Sequence, residues 1–507
     1  MKTWCINNRW IPFVILLLAI GVRVWGLDWK PPHFDEGING WFADGIKEKG
    51  FFSYDPNNYH GPLHFYAIFL SQTLFGRSVE VLRLPAILAS LASIGVLFAF
   101  ARYFGQATVR LAALAMALSP AYVFYGRYSI HESWLVFFNL VFVLGALGLW
   151  REGTRNSLFL AIGGITGMIL TKETYLVQIG CLLLAVPCLK LWNNLVPCED
   201  SLSWTQQKWT WSDLFLGSGW GALAIVFFYS GTFYHLEGLH GLWQTFAAWF
   251  QTGVQNEGHA KTAFAIAGTP LNWYWISLMI RYEWPAFLGL LATVWCVKKC
   301  PSSLRLLAIY GAGLLLAYSL VPYKTPWCII AFLWPFYLVG AATVMRFQGK
   351  LRVGFIVLFV LATLGCAGIM MRLNFWHYDD EKEPYVYVQT FREIQRLTDP
   401  ILQAAKADPQ NYQMRGEILL SSYYPLPWIL GDFPNIAYFG AEKWPERLSG
   451  DFVAGDAAKA EAIATRLTGD YVRVHFRLRD AQEPCIVFFR KEKFPQFPGN
   501  PEESMDH

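Results

Sequence analysis

Along its first 373 residues the chain alternates long apolar runs with short polar breaks. Runs near 10–22, 84–101, 111–126, 134–150, 157–170, 174–190, 213–232, 274–297, 303–321, 326–345 and 353–373 each predict a membrane helix, eleven in all. The runs 157–170 and 174–190 are short for a hydrocarbon core of ~30 Å. They predict a hairpin of shortened helices turned at Thr171-Lys172-Glu173-Thr174. The first run follows Lys2 and Arg9 and has no small-x-small cleavage site after it, so it reads as an uncleaved helix with its N-terminus inside.

From Asn374 the pattern changes. The last 134 residues hold 36 charged side chains, or 27%, against 11% in the first 373. This step divides a membrane domain, 1–373, from a polar domain, 374–507. In the polar part, Tyr385–Val388, Ile418–Ser421, Tyr471–Phe476 and Cys485–Phe489 read as strands, and 390–406 and 456–467 as helices. The expected fold is therefore an α-helical polytopic membrane protein with a small C-terminal α/β domain.

Composition agrees with this pattern. Hydrophobic residues make up 54% of the 507 and charged residues 15%, well below the roughly 25% of a soluble domain. The net charge of +4 excludes a basic nucleic-acid binder. The nine cysteines form neither a disulfide framework nor a zinc-ligand spacing.

The segment 62–76 decides the topology. It is apolar but only fifteen residues long, and Gly61-Pro62 starts it. If it spans, Arg102, Arg110, Arg151 and Arg155 fall outside. If it lies in the interface, they fall inside with Lys298, Lys299, Arg305, Arg346, Lys350 and Arg352. The inner segments then hold 14 Lys and Arg, the short outer loops four, and the long first outer loop, 28–83, five. The positive-inside rule favours the interfacial helix. That choice puts Asp35, Glu36, His131, Glu132, Lys261, Lys324 and the polar domain on the outer side.

The candidate chemistry gathers in these outer loops. The first opens His33-Phe34-Asp35-Glu36-Gly37. Adjacent acids on a helix point about 100° apart, so only one faces a given substrate. Asp35 either acts as a base or caps a helix at 36–49. His60 and His64 flank Gly61-Pro62-Leu63, placed to bind phosphate, to orient Asp35, or to pack at the headgroup level. Glu132 lies in Arg127-Tyr128-Ser129-Ile130-His131-Glu132, where it neighbours Asp35 or forms a surface pair with Arg127. Lys172, Lys261 beside His259, and Lys324 in Tyr323-Lys324-Thr325-Pro326-Trp327 are isolated cations near membrane depth. Each should face an anion or a cavity, or else snorkel. Arg281 and Glu283 are too close in sequence to pair along a helix, so each needs another partner.

A membrane protein with an Asp-Glu pair just after its first helix resembles the GT-C glycosyltransferases, among them the protein O-mannosyltransferases and the lipid A aminoarabinose transferase. His33-Phe34-Asp35-Glu36-Gly37, His60-Gly61-Pro62-Leu63-His64-Phe65-Tyr66, Thr171-Lys172-Glu173-Thr174, Tyr323-Lys324-Thr325-Pro326-Trp327 and Pro425-Leu426-Pro427-Trp428 are similar, in this order, to the prokaryotic "flippase activity-associated" family within that superfamily. The resemblance implies a polyprenyl-phosphate sugar as donor, with a glycan, lipid or protein as acceptor. It implies Asp35 as catalytic acid residue of the first loop, with Glu36 beside it and Glu132 as the second. His33, His60, His64, Arg127, His131, Lys172, Glu173, His259, Lys261, Tyr323 and Lys324 are then the candidates for donor phosphate and substrate. The aminoarabinose enzyme has a lysine before the proline of this segment; here the neighbourhood offers His60. A phosphomonoester leaving group served by lysines requires no cofactor, while a divalent ion at His33, Asp35 and Glu132 stays open. The competing reading is a flippase, or a partner of one, for lipid-linked sugars. It would place buried charges along a path through the bilayer.

Overall fold

The computed structural model describes residues 9–58, 60–196, 198, 205–255, 261, 264–266, 269, 271–296, 300–440, 443–479 and 483–496. The chain forms two compact units. One comprises Met1–Leu27, Lys49–Tyr378 and Lys382–Tyr385 and carries the apolar helices; the other comprises Asp28–Glu48, Asp379–Glu381 and Val386–His507.

In the first unit every apolar run is helical. Among the described residues seven helices are long and apolar enough to cross a membrane, and an eighth counts if one bent pair is a single span. Trp10–Val24, Leu63–Phe75 and Trp284–Trp295 are shorter apolar helices. Residues 62–76 thus form a 13-residue helix, Leu63–Phe75. The Pro326–Arg346 segment is apolar on all sides and buried almost throughout, as the centre of a bundle must be. Trp211–Tyr229 leaves most of its surface apolar and exposed, which suits a lipid-facing helix. The Glu237–Gln255 helix lies in a stretch with no expected element.

Two of the expected runs are broken. At Ser119-Pro120 the axis bends by 57°. Proline has no N–H to continue the ladder, and Ser119 Oγ caps the short helix after it. At Glu283 the backbone leaves helical angles between Tyr274–Tyr282 and Trp284–Cys296. The Glu283 carboxylate accepts from Ser119 Oγ at 2.8 Å, the Ala121 N–H at 2.7 Å, and the hydroxyls of Tyr337 at 2.7 Å and Tyr385 at 3.3 Å. One buried acid thereby ties both breaks together. Arg281 instead donates to Glu383 at 3.2 Å, and Arg372 pairs with the same carboxylate. The separate partners expected for Arg281 and Glu283 are these.

The second unit is built on a five-stranded sheet of order β2-β1-β3-β5-β4. The strands are β1 (Gly416–Leu419), β2 (Ile436–Tyr438), β3 (Phe452–Asp456), β4 (Tyr471–Arg477) and β5 (Pro484–Arg490). β1 runs parallel to β2 and β3, and β5 antiparallel to β3 and β4. Alternation along β5 fills both faces. Cys485, Val487 and Phe489 pack with the Gln395–Ala407 helix, while Ile486 and Phe488 pack with Ile463 of the Ala460–Ala464 helix. The strand expected at Tyr385–Val388 does not form. Tyr385 is buried against Tyr282, with ring centroids 4.2 Å apart, and Val388 sits at φ 54°, which an extended strand forbids.

The Phe34–Lys49 helix packs in this second unit on Pro425-Leu426-Pro427-Trp428. A Cβ at Gly37 would lie 2.5 Å from Pro425, and one at Gly40 2.3 Å from the Trp428 ring. Glycines three apart open the groove that admits both side chains.

Candidate active site

In the second unit, the start of the Phe34–Lys49 helix settles the roles of its acids. The helix begins two residues earlier than an Asp35 cap would allow, and His33 occupies the cap position. Glu36 accepts the His33 N–H at 2.8 Å, the reciprocal half of a capping box. The Asp35 N–H donates to His33 Nδ1 at 3.1 Å, and His33 Nε2 lies 2.9 Å from the Tyr387 carbonyl. Nδ1 therefore carries no proton, and Nε2–H donates to Tyr387. Burial pulls this imidazole below its ordinary range, against the opposing pull of Asp35 and Tyr387. His33 and Glu36 are thus fully buried and engaged. Asp35 keeps 36% of its side chain exposed, 3.9 Å from His33 Nδ1.

A residue that the sequence did not single out, Arg479, stands beside this turn. Its guanidinium lies 4.8 Å over the Phe34 ring and donates to the carbonyls of Tyr424 and Ser422. Burial pulls it down to about 10, while negative groups including Asp35 act the other way. Only its place just after β4 hinted at its position. The Tyr424 ring meets Phe34 edge-on at 5.6 Å and Trp41 at 6.4 Å.

In the first unit the fold brings six of the candidates together. His60-Gly61-Pro62-Leu63 lies along Leu170-Thr171-Lys172. The Gly61 N–H donates to Thr171 O at 3.0 Å and the Leu63 N–H to Leu170 O at 3.1 Å. A Cβ on Gly61 would come within 2.3 Å of Leu170 backbone atoms, so only glycine permits this approach. His60 Nδ1 sits 3.0 Å from the Glu173 carboxylate. Lys172 pairs with Glu132, with side chains 7% and 4% exposed. Burial opposes the ammonium charge, but Glu132 outweighs it and holds Lys172 well above its usual range. Burial likewise opposes the Glu173 charge, and His60 and Lys172 hold it below the usual carboxylate range.

His131 stacks at 4.7 Å on both His60 and His64. His64 accepts from Trp134 Nε1 at its Nδ1, 3.2 Å away. Its Nε2 lies 3.3 Å from Ser129 Oγ, whose own proton goes to Leu82 O. His64 is thereby held in place by Trp134 and Ser129. An apolar groove of about 500 Å³ is lined by Leu170 together with Phe138, Phe159, Trp220 and glycines that include Gly217 and Gly221.

The remaining candidates lie elsewhere. Arg127 donates to Val22 O, Trp25 O and Gly26 O, so it pins the end of the first helix rather than pairing with Glu132. Lys324 donates to Tyr318 O, Ser319 O and Val321 O, and so closes the end of the Ser302–Leu320 helix. Burial pulls it down to about 8. Tyr323 beside it is half-buried. Lys261 is held below its usual range by burial. His259, Lys2, Tyr59, Lys298 and Lys299 lie outside the described residues. Among the described residues no three His, Cys, Asp or Glu side chains converge as metal ligands.

A family model described as dolichyl-phosphate-mannose-protein mannosyltransferase matches residues 59–195, the stretch that contains the Lys172–Glu132 pair and the His60–Glu173 contact. Among solved structures, the chain is similar to ArnT from Cupriavidus metallidurans in the apo state. Identity is 16% and the TM-score 0.60, over 94% of this chain and 97% of that one. ArnT bound to undecaprenyl phosphate matches at 14% identity with the same TM-score and coverage. The archaeal oligosaccharyltransferase AglB from Archaeoglobus fulgidus, in complex with an inhibitory peptide and a dolichol-phosphate, matches at 11% identity and TM-score 0.50, over 93% of this chain and 74% of that one. No curated protein sequence matches the chain.

Proposed function

We propose that this chain, which has the fold of the GT-C membrane glycosyltransferases, moves a sugar from a polyprenyl-phosphate carrier to an acceptor hydroxyl, with inversion, at the outer face of the membrane. The observation that carries this reading is the division of labour at the first-loop helix. His33 and Glu36 spend their hydrogen-bonding capacity on its cap, and Asp35 between them keeps an exposed carboxylate in a turn that its neighbours hold rigid.

In the proposed step the acceptor oxygen attacks the anomeric carbon as its proton passes to Asp35. The bond from that carbon to the phosphate oxygen breaks on the opposite face, and the lipid phosphate leaves as a monoester. One displacement inverts the centre. The leaving charge needs a cation, and Lys172, kept protonated by Glu132, is our assignment, with His60 beside it. The apolar groove that Leu170 helps line suits an isoprenoid tail. The lipid phosphates named with ArnT and AglB support a carrier of this class. Such a leaving group needs no metal once a lysine serves it. The outer-face assignment rests on the distribution of Lys and Arg.

The test is glycan transfer by the purified protein, with membrane extract as the source of donor and acceptor. Wild type should form product. Asp35→Asn, shown to be folded by thermal stability, should lose it by at least ~100-fold. Equal product from both would remove Asp35 from catalysis. No product from wild type, together with movement of lipid-linked sugars across vesicles, would put a flippase in place of the transferase.

A further inference from the structure

The histidine cluster holds one atom that the proposed step does not use. His131 precedes the Glu132–Arg151 helix, yet its side chain makes no capping hydrogen bond to that helix. Its ring is 2% exposed and lies between the rings of His60, His64 and Phe65. The imidazole donates to the Gly61 carbonyl, and among the described residues Nε2 is buried with no hydrogen-bond partner. The donor must then be Nδ1, which leaves a bare lone pair on Nε2.

That lone pair does not readily take a proton. Burial disfavours the charge, and His64, His60 and Lys172 add to the effect, so the ring stays neutral. Two residues on, Ser133 Oγ is also buried without a partner among the described residues. Buried polar atoms are nearly always paired, so two unpaired atoms in one turn, flanking Glu132, point to a ligand that completes them. A bare imidazole nitrogen repels phosphate oxygens. Its complement must bring a hydrogen, and in a carrier-linked substrate the O–H groups are on the sugar.

We infer that His131 Nε2 accepts a hydrogen bond from a hydroxyl of the transferred sugar, which makes His131 a residue that reads the sugar rather than the lipid phosphate. The inference rests on the transferase reading.

The experiment compares two ligands on purified full-length protein carrying Asp35→Asn, so that donor is not consumed. One is bare polyprenyl phosphate; the other is the glycosylated carrier isolated from native membrane extract. His131→Leu should weaken the glycosylated carrier about tenfold, the net worth of one hydrogen bond, and leave the bare carrier unchanged. His131→Gln, whose side-chain oxygen reaches the Nε2 position, should stay within about threefold. His131→Asn, which reaches only the Nδ1 position, should behave like the leucine variant. If His131→Leu does not fold, the Gln and Asn variants decide the matter between them. Equal weakening of both carriers, or no change for either, overturns the inference. Transfer by wild type in membrane extract is scored separately. If transfer persists while the affinity ratio stays put, only this inference fails. If wild type transfers nothing, the transferase reading fails with it.

Discussion

Lys172 and Glu132 form a pair whose removal has an asymmetric cost. Both side chains are over nine-tenths buried. Deleting one partner of a buried pair typically costs about 3–5 kcal/mol, because the other charge stays buried without compensation. Here the surroundings divide that range. Glu132→Gln leaves Lys172 still attracted by Glu173, which holds it in part, so the loss should be about 3 kcal/mol. Lys172→Met leaves two carboxylates, Glu132 and Glu173, with only His60 between them, so the loss should reach about 5 kcal/mol. The double variant removes both the charge and its partner and should cost less than Lys172→Met alone. Apparent unfolding midpoints in detergent at fixed scan rate give the ranking, since unfolding of a membrane protein of this size is a rate-governed quantity. A shift of roughly 2 °C or less per kcal/mol is expected for a chain longer than 250 residues. High salt should change none of this, because the pair is shielded from counterions. If the two single costs simply add in the double variant, or if Glu132→Gln is the worse of the two, the pair is not coupled as described and Lys172 is not held charged by Glu132.

Four further outcomes follow from the same structure. Glu36→Ala should cost about 1 kcal/mol of stability through its lost cap and keep measurable transfer; if it abolishes transfer while Asp35→Asn does not, the base has been assigned to the wrong acid. Gly61→Ala should destabilise by about 2–4 kcal/mol through overpacking and two weakened backbone hydrogen bonds. Gly163→Ala, which meets open space, is its control, and equal midpoints for the two would refute the close approach at Leu170. Lowering pH from about 7.5 to 5.5 should reduce stability. His33 and His131 have folded values below the ordinary 6.5, so the unfolded chain takes up protons that the folded chain refuses. The loss is up to about 1.4 kcal/mol per pH unit for each, beginning near 6.5 and ending below the folded values; a flat midpoint over that range would count against neutral burial of both rings. Chelation of divalent ions should leave transfer within about twofold of its starting rate if lysine serves the leaving phosphate, and loss of activity restored by a metal would demand a bound ion.

Much of the membrane unit was legible because hydropathy is a local property: each apolar run became a helix, and the fifteen-residue run at 62–76 became a short one. The break at Ser119-Pro120 was readable in principle from proline. The break at Glu283 was not, since the groups that satisfy its carboxylate come from Ser119, Ala121, Tyr337 and Tyr385, all more than fifty residues away. The sheet was half legible. Tyr471–Arg477 alternates over seven residues and Pro484–Arg490 holds a continuous apolar run, whereas β2 is three residues long and β3 ends in Ala-Gly-Asp, which carries no strand preference.

The site shows a different limit. Residue type and spacing flagged Asp35, Glu36 and Glu132 for catalysis and His33, Arg127, Lys172 and Lys324 for donor phosphate and substrate, because a charge near a membrane calls for a partner. What separates them is where each has spent its hydrogen-bonding capacity. Arg127 gives its donors to three carbonyls of the first helix, and Lys324 gives its donors to three carbonyls at the end of another. Glu36 is spent on a cap that the three-residue spacing from His33 might have announced, had the helix start been placed two residues earlier. A charge whose donors all go to backbone carbonyls, or whose carboxylate closes a cap, is held in place and has little left to offer a substrate. Asp35 stands partly exposed between two engaged neighbours with its carboxylate open to a substrate, and His131 retains one lone pair in a ring that cannot readily charge. Under the proposed function, Asp35 is therefore the first residue to alter for catalysis, Lys172 for the leaving phosphate and His131 for the sugar, while Arg127, Lys324 and Glu36 serve as scaffold controls.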